Sequence, residues 1–203
     1  EFHGTSDHIR NTMFGAQVIK DAIVDHFFAF NQRPNVSRDN PDIRIQAHFK
    51  NDYLTISFDM TGYSLHQRGY RLDKTEAPLK ETLAAAMLIR AGWPKLLEQG
   101  FDLYDPFCGS GTLVIEAYMM AANMAPGLLR QDQSFIHWLG HDANLWARVC
   151  DEARKKIKPV SNKICGSDID DEAIFASLEN AKRAKVKVSF VNVTPAPARS
   201  AIL

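Results

Sequence analysis

The stretch Tyr104-Asp105-Pro106-Phe107-Cys108-Gly109-Ser110-Gly111-Thr112 decides how the rest of the chain reads. A short apolar run, Phe101 to Tyr104, precedes it, and a long apolar, helix-forming run, Leu113 to Met124, follows. The order is strand, glycine-rich turn, helix, the first unit of a Rossmann-like α/β sheet. In such a unit the turn lies at the carboxyl end of a strand, where these sheets take their ligands. Gly109 and Gly111 permit a tight turn and the close approach of a ligand to bare backbone. Ser110 or Gly111 opens the helix, so that free N–H groups face the bound molecule.

The type of ligand follows from what is missing. A phosphate-binding loop of the Walker type needs a lysine after its last glycine, and Thr112 stands there. The dinucleotide fingerprint needs a third glycine three positions on, where this chain has Val114. What remains is acid-x-x-x-Gly-x-Gly, the arrangement of S-adenosylmethionine (SAM) methyltransferases. A turn that merely joins a strand to a helix is the alternative. The second half of the pattern favours the ligand: Lys163 to Asp170 reads as a short strand ending in acids, followed by a helical stretch, Asp171 to Lys185. An acid at the tip of the second strand suits ribose hydroxyls, while an aspartate there can equally cap the next helix. We assign ribose binding to Asp168 and capping to Asp170. Asp105 and Asp168 lie 63 positions apart (168 − 105), against about 20 in dinucleotide folds, so an insertion must fill the gap.

Composition sets the outer bounds. A chain of 203 residues suffices for one domain or a domain with a small appendage, and 45% apolar content can build a core. With 24 basic and 24 acidic residues, net charge makes no case for nucleic acid, and any basic surface is local. Cys108, Cys150 and Cys165 have no metal-ligand spacing and form no even disulfide set, which reads as a reduced, cytoplasmic protein without a metal. No apolar run reaches membrane-spanning length, and no signal peptide is visible. The first residue is Glu1 rather than Met, so a piece of a longer protein is the expectation.

Outside the central unit the patterns are local. From Thr12, residues Ile19, Ala22, Ile23, His26, Phe27 and Phe30 recur at helical spacing, with His26 read as a half-buried member of that face. Ile43, Ile45, Ala47 and Phe49 alternate with polar residues, Asn51-Asp52 supplies a turn, and Leu54, Ile56 and Phe58 alternate in reply. This is a hairpin with one buried face and one wet, basic one. Thr61 to Ala77 is a polar connection holding His66, Arg68, Tyr70, Arg71 and Lys74. It suits either a nucleic-acid backbone with a stacked base or a solvated linker. Pro78 opens a helix that runs to Arg90 and ends at Gly92-Trp93-Pro94. Leu128 to Asn144 is the insertion, Leu145 to Lys158 an amphipathic helix, and Val186 to Val191 a third strand. In the helix before that strand, Ile174, Leu178 and Ala181 form the expected inner stripe; the tail after Val193 reads as unfolded.

Taken together, the residues match a family. Segments 7–11, 20–25, 33–36, 41–44, 65–71, 77–86, 105–112, 123–128 and 166–168 resemble the THUMP-containing guanine-N2 methyltransferases of bacterial 23S ribosomal RNA, the RlmL type. The likeness runs from residue 2 to about 190 and includes the long insertion. It implies part of an α+β THUMP RNA-binding domain over 1–64, a linker and helix over 65–93, and the N-terminal part of a Rossmann-like class I methyltransferase domain over 94–203. It implies SAM as cofactor, held by Pro78, Leu79, Lys80, Asp105, Phe107, Cys108, Gly109, Ser110, Gly111, Thr112, Asp168 and Ile169. It implies 23S rRNA as partner, and we expect Arg10, Lys20, Arg44, Arg68 and Arg71 to form a local phosphate-contacting surface despite the zero net charge. The family's Asn-Pro-Pro-Tyr, which grips a flipped base, occurs nowhere in the chain, and Asn192-Val193-Thr194 stands where an acid is usual. We therefore name no catalytic residue, and expect residues 1–203 alone to be inactive and prone to self-associate through an open sheet edge. The other readings are N6-adenine methylation of RNA or DNA, and a non-catalytic RNA-binding module with a relic SAM pocket.

Overall fold

The computed structural model describes residues 1–5, 9–37, 39, 41–72, 79–130 and 133–193. Pro78, Lys74 and the tail from residue 194 lie outside them. The chain divides into two compact units: Glu1–Tyr63 with Asp132–Asp142, and Ser64–Gln131 with Ala143–Leu203.

In the first unit, β1 (Phe2–His3) pairs parallel with β2 (Arg44–Lys50), which pairs antiparallel with β3 (Tyr53–Asp59). The strand pairing is the expected hairpin, but its expected buried face is not formed: only Ala47 is buried, and Leu54, Ile56 and Phe58 are exposed. Asn51 and Asp52 both take positive φ, 51° and 62°, the turn that matches the natural twist of paired strands. β1 escaped the sequence reading because two residues carry no period. Helix α1 (Thr12–Phe28) is capped by Asn11, whose Oδ1 accepts from Met13 N at 2.8 Å. Gly15 is there for space: a Cβ on it would lie 2.7 Å from the Phe2 ring. The α1 stripe is only half covered. Gly15 is buried and Ile19 and Ile23 are half-buried, but Ala22, His26, Phe27 and Phe30 are exposed. His26 packs edge-on against Phe27 and Phe30 instead of entering a core.

Residues 133–142, read from sequence as an insertion in the methyltransferase part, pack on this first unit. Ser134 Oγ donates to Asp42 O at 3.0 Å, Phe135 N donates to Met60 O at 3.3 Å, and Trp138 meets Phe58 edge-on. Asp59 fixes the neighbouring turn by accepting from Thr61 N, Thr61 Oγ1 and Gly62 N. Burial pushes its carboxyl up, but these bonds and Arg44 outweigh that and hold it below the usual range.

In the second unit, α2 (Glu81–Arg90) and α3 (Trp93–Glu98) precede β4 (Leu103–Asp105), α4 (Thr112–Ala121), α5 (Ala143–Lys155), β5 (Ile164–Asp168), α6 (Asp171–Ala184) and β6 (Ser189–Asn192). The strands form one parallel sheet in the order β4-β5-β6, and the other edge of β4 carries no strand among the described residues. Apart from Glu116, helix α4 is apolar all round, as a helix enclosed on every side tends to be: Val114, Ile115 and Ala117 are fully buried. Trp93 joins that core and its Nε1 donates to Ala117 O at 3.1 Å. Trp93 begins α3 where the sequence suggested only a stop; Gly92, at φ 79°, turns the chain straight into a second helix. The inner stripe of α6 also differs from expectation. Small residues, Ala173, Ala176, Ser177, Ala181 and Ala184, are buried, while Leu178 is half exposed.

The largest departure is the polar connection. Its residues 64–72 are part of the second unit, and Tyr70 is 1% exposed. Arg130 Nη1 donates to Ser64 O and Gln67 O, each at 3.1 Å, fastening the segment at its start.

Candidate cofactor site

β4 ends on Asp105 and α4 begins on Thr112, so six residues turn the chain. Asp105 Oδ1 accepts from Phe107 N at 3.1 Å and shapes the first half of the turn. The second half is bound to the tip of β5. Cys108 N donates to Ser167 O at 2.9 Å and Gly109 N donates to Asp168 Oδ2 at 2.8 Å. Asp168 Oδ1 accepts from Asp170 N at 3.1 Å, and Asp170 caps α6 by accepting from Glu172 N at 2.9 Å. Asp170 therefore caps α6, as expected, and Asp168 turns toward the glycine turn. From beneath, the fully buried Asn180 of α6 donates to Ser110 O at 3.0 Å. Tyr104 and Ser167 hydroxyls share a 2.6 Å bond across the two strands.

The two glycines do different work. At Gly109, φ is 51° and an added Cβ would meet nothing within 4 Å; the space above it is open. Gly111 caps α4 at φ 79°, and a Cβ there would lie 2.8 Å from the Phe190 ring and 2.9 Å from Ser177 Cβ. Its bare face is thus filled by the protein, which corrects the expectation that both glycines admit a ligand. Gly166 serves the same packing purpose, since a Cβ there would come 2.7 Å from Cys108 Cβ.

The electrostatics are acidic. Burial pushes the Asp105 carboxyl up, and Asp168 adds to the shift while the Phe107 N–H opposes it. Burial, with Asp105 and Asp168 behind it, pushes the Cys108 thiol up to about 12, so the thiol stays protonated and is no nucleophile. Thr112 is 3% exposed and its Oγ1 has no hydrogen-bond partner among the described residues.

Asp105, Phe107, Cys108, Gly109, Ser110, Gly111, Thr112, Asp168 and Ile169 thus gather around one turn, with Phe107 85% and Ile169 59% exposed above it. Leu79 and Lys80 lead into α2, Lys80 as its N-terminal cap residue. The residues expected to contact phosphate are divided between the two units. Arg10, Lys20 and Arg44 are in the first unit, where Lys20 pairs with Asp21. Arg68 and Arg71 are in the second and are not surface groups: their side chains are 12% and 10% exposed. Arg71 donates to Leu79 O at 2.6 Å and to Glu81 Oε2 at 3.1 Å; Arg68 Nε lies 3.6 Å from Glu116 Oε1. Tyr70 O–H donates to the same Glu116 oxygen at 3.1 Å. Buried ion pairs claim both guanidiniums, because an unpaired buried carboxylate is costly.

Residues 68–196 match the family described as RMKL-like, methyltransferase domain, and residues 1–59 match the THUMP domain. The chain belongs to the RMKL-like methyltransferases. A ribosomal RNA large subunit methyltransferase K/L of Legionella pneumophila is 59% identical over 187 residues, covering 92% of this chain and 26% of that protein. Its namesake in a Shewanella species is 49% identical over 191 residues with the same coverage. The chain thus spans about a quarter of the length of these curated relatives. Among solved structures, a putative methyltransferase complexed with SAH is 32% identical with a TM-score of 0.78, over 95% of this chain and 50% of that one. A predicted N6-adenine-specific DNA methylase from Listeria monocytogenes is 29% identical with a TM-score of 0.79 at the same coverage. The fold is a THUMP domain followed by a class I methyltransferase fold. No helix among the described residues is long and apolar enough to cross a membrane.

Proposed function

We propose that this chain carries the SAM-binding half-site and part of the RNA-binding module of a cytoplasmic rRNA methyltransferase, whose whole activity is guanine-N2 methylation of 23S rRNA. The observation that supports it best is the turn itself: open backbone at Gly109, the start of α4 next to it, and the Asp105 and Asp168 carboxylates each bonded to the turn. This donor set fits a nucleoside joined to an amino acid. Asp168 binds ribose hydroxyls through lone pairs left over from its two backbone bonds, and Asp105 faces the ammonium. The first-turn N–H groups of α4 and the orphaned Thr112 hydroxyl receive the carboxylate. SAM supplies an electrophilic methyl group, and the residues of this chain hold and orient it. The division at 1–64, 65–93 and 94–203 belongs to this reading, with the strap 64–72 assigned to the catalytic domain. So does self-association through the free edge of β4. Arg10, Lys20 and Arg44 remain its RNA-facing residues.

Calorimetric titration with SAH tests the site: Asp168→Ala should weaken binding by ~1–3 kcal/mol, the loss of charged hydrogen bonds, and unchanged affinity would move the ribose contact elsewhere. The likeness to the Listeria protein, a predicted N6-adenine-specific DNA methylase, favours a second reading, adenine N6 methylation. Mass spectrometry of nucleosides methylated by the full reading frame separates the two: N2-methylguanosine supports our reading, N6-methyladenosine the other. Residues 1–203 alone, incubated with tritiated SAM and undermethylated rRNA, should give no incorporation above background.

A further inference from the structure

Arg71 spans two pieces of chain. Nη1 donates to the carbonyl of Leu79, and Nη2 donates to the carboxylate of Glu81, the first residue of α2. Both partners are sheltered: the Glu81 side chain is 2% exposed and that of Arg71 is 10% exposed. A guanidinium used in this forked way fixes direction as well as distance. The clasp is far more than a surface ion pair, and it sets where the backbone at 79–81 stands.

That backbone leads into a helix packed on α4, the helix that leaves the glycine turn. Glu81 is close enough to Glu116 and Tyr70 to push both of their ionisations upward. Glu116 is in the second turn of α4, the helix that starts from the glycine turn. Farther along, Leu88 of α2 shares a core with Ala117 and Ala121. The two helices thus pack on each other, and the beginning of α2 stands beside the second turn of α4, joined to it through Tyr70 and Arg71. Leu79 and Lys80 lead directly into that beginning of α2.

We propose that Arg71 is a positioning residue for cofactor binding: by holding Leu79 O and Glu81, it sets the wall that the start of α2 presents to the ligand at the glycine turn. This rests on the SAM reading given above and assigns a working part to the strap 64–72, which no pairing with phosphate would give it.

The test compares SAH affinity by calorimetry with thermal stability in the ligand-free protein. Arg71→Lys keeps the charge beside Glu81 but offers a single nitrogen, which cannot make both bonds in the same fork. Its dissociation constant for SAH should rise roughly tenfold, the scale of one charged hydrogen bond. Its melting temperature should stay near that of the unaltered protein. Glu81→Gln, which keeps an acceptor for Arg71, should weaken SAH by a smaller factor in the same direction. The double variant should lose less than the product of the two factors, as coupled residues do. A merely structural Arg71 would lower the melting temperature while leaving the affinity of both variants within twofold; that result overturns the proposal alone. If the unaltered protein binds no SAH, the SAM reading and this inference fall together.

Discussion

Replacing Gly111 by alanine should damage the fold, whereas the same change at Gly109 should mainly damage binding. At Gly111 two costs add. The left-handed backbone, φ 79°, costs an L-residue about 1–2 kcal/mol. The new methyl would stand 2.8 Å from the Phe190 ring and 2.9 Å from Ser177 Cβ, and forcing such overpacking costs about 1–3 kcal/mol. The sum is about 2–5 kcal/mol, which at this size lowers the melting temperature by roughly 5–15 °C. At Gly109 only the backbone cost applies, because nothing lies within 4 Å of the added carbon, so about 1–2 kcal/mol is expected. Hydrogen exchange over α4 and thermal melts measure stability, and SAH titration measures binding. Gly109→Ala should fold but bind SAH poorly, since its methyl fills the open space. A Gly111→Ala protein as stable as the unaltered one would refute the packing argument. A Gly109→Ala protein less stable than Gly111→Ala would refute the division of roles between the glycines.

Two further outcomes follow from the charged groups. Arg44→Ala and Lys20→Ala should each reduce the salt dependence of RNA binding, by a slope of about 0.7–0.9 per lost phosphate contact; Arg68→Ala should instead lower stability, because it leaves Glu116 buried without its cation, and filter binding across a salt series beside thermal melts separates the two classes. Burial holds the Glu116 carboxyl above its ordinary 4.5, against the opposing pull of Arg68 and Tyr70; the folded state therefore binds this proton more readily than the unfolded chain, and stability falls as pH rises above 4.5 through the raised value. Glu116→Gln should flatten that fall in urea titrations, and a steeper fall in the variant would show that Glu116 is not the group responsible.

What could be read from sequence was local. Strand, turn and helix around Asp105 are encoded within about twenty neighbouring residues, and the hairpin within sixteen, so periodicity and turn chemistry found both. The acid that holds the glycine turn was legible because a strand tip followed by a helix N-cap leaves few positions for it. The larger failures are questions of partnership. Arg68 and Arg71 in a polar segment look solvated, and only the distant Glu116 and Glu81 take them inside. A signal did exist: Glu116 is the only charge in Thr112–Ala121, a helix otherwise apolar on every side, and an acid in such a helix needs a buried cation. Residues 133–142 looked like a methyltransferase insertion because they interrupt one. Their aromatic Trp138 finds Phe58 in the first unit, a choice no local pattern records.

The site's chemistry and its architecture turn on the same carboxylate. Asp168 has two oxygens, and each already accepts one backbone N–H, from Gly109 and from Asp170. These bonds orient the group and leave lone pairs with no partner among the described residues, free for the ligand of the proposed reading. The arrangement also explains the second strand's sequence. Gly166 clears room for Cys108, Ser167 lends its carbonyl to Cys108 N and its hydroxyl to Tyr104, and Asp168 receives Gly109. Three consecutive residues of β5 thus grip the turn that follows β4. A ligand contact built this way carries little reorganisation cost on binding. The same construction means that the glycine turn and the acid are one unit, and neither can be moved without the other.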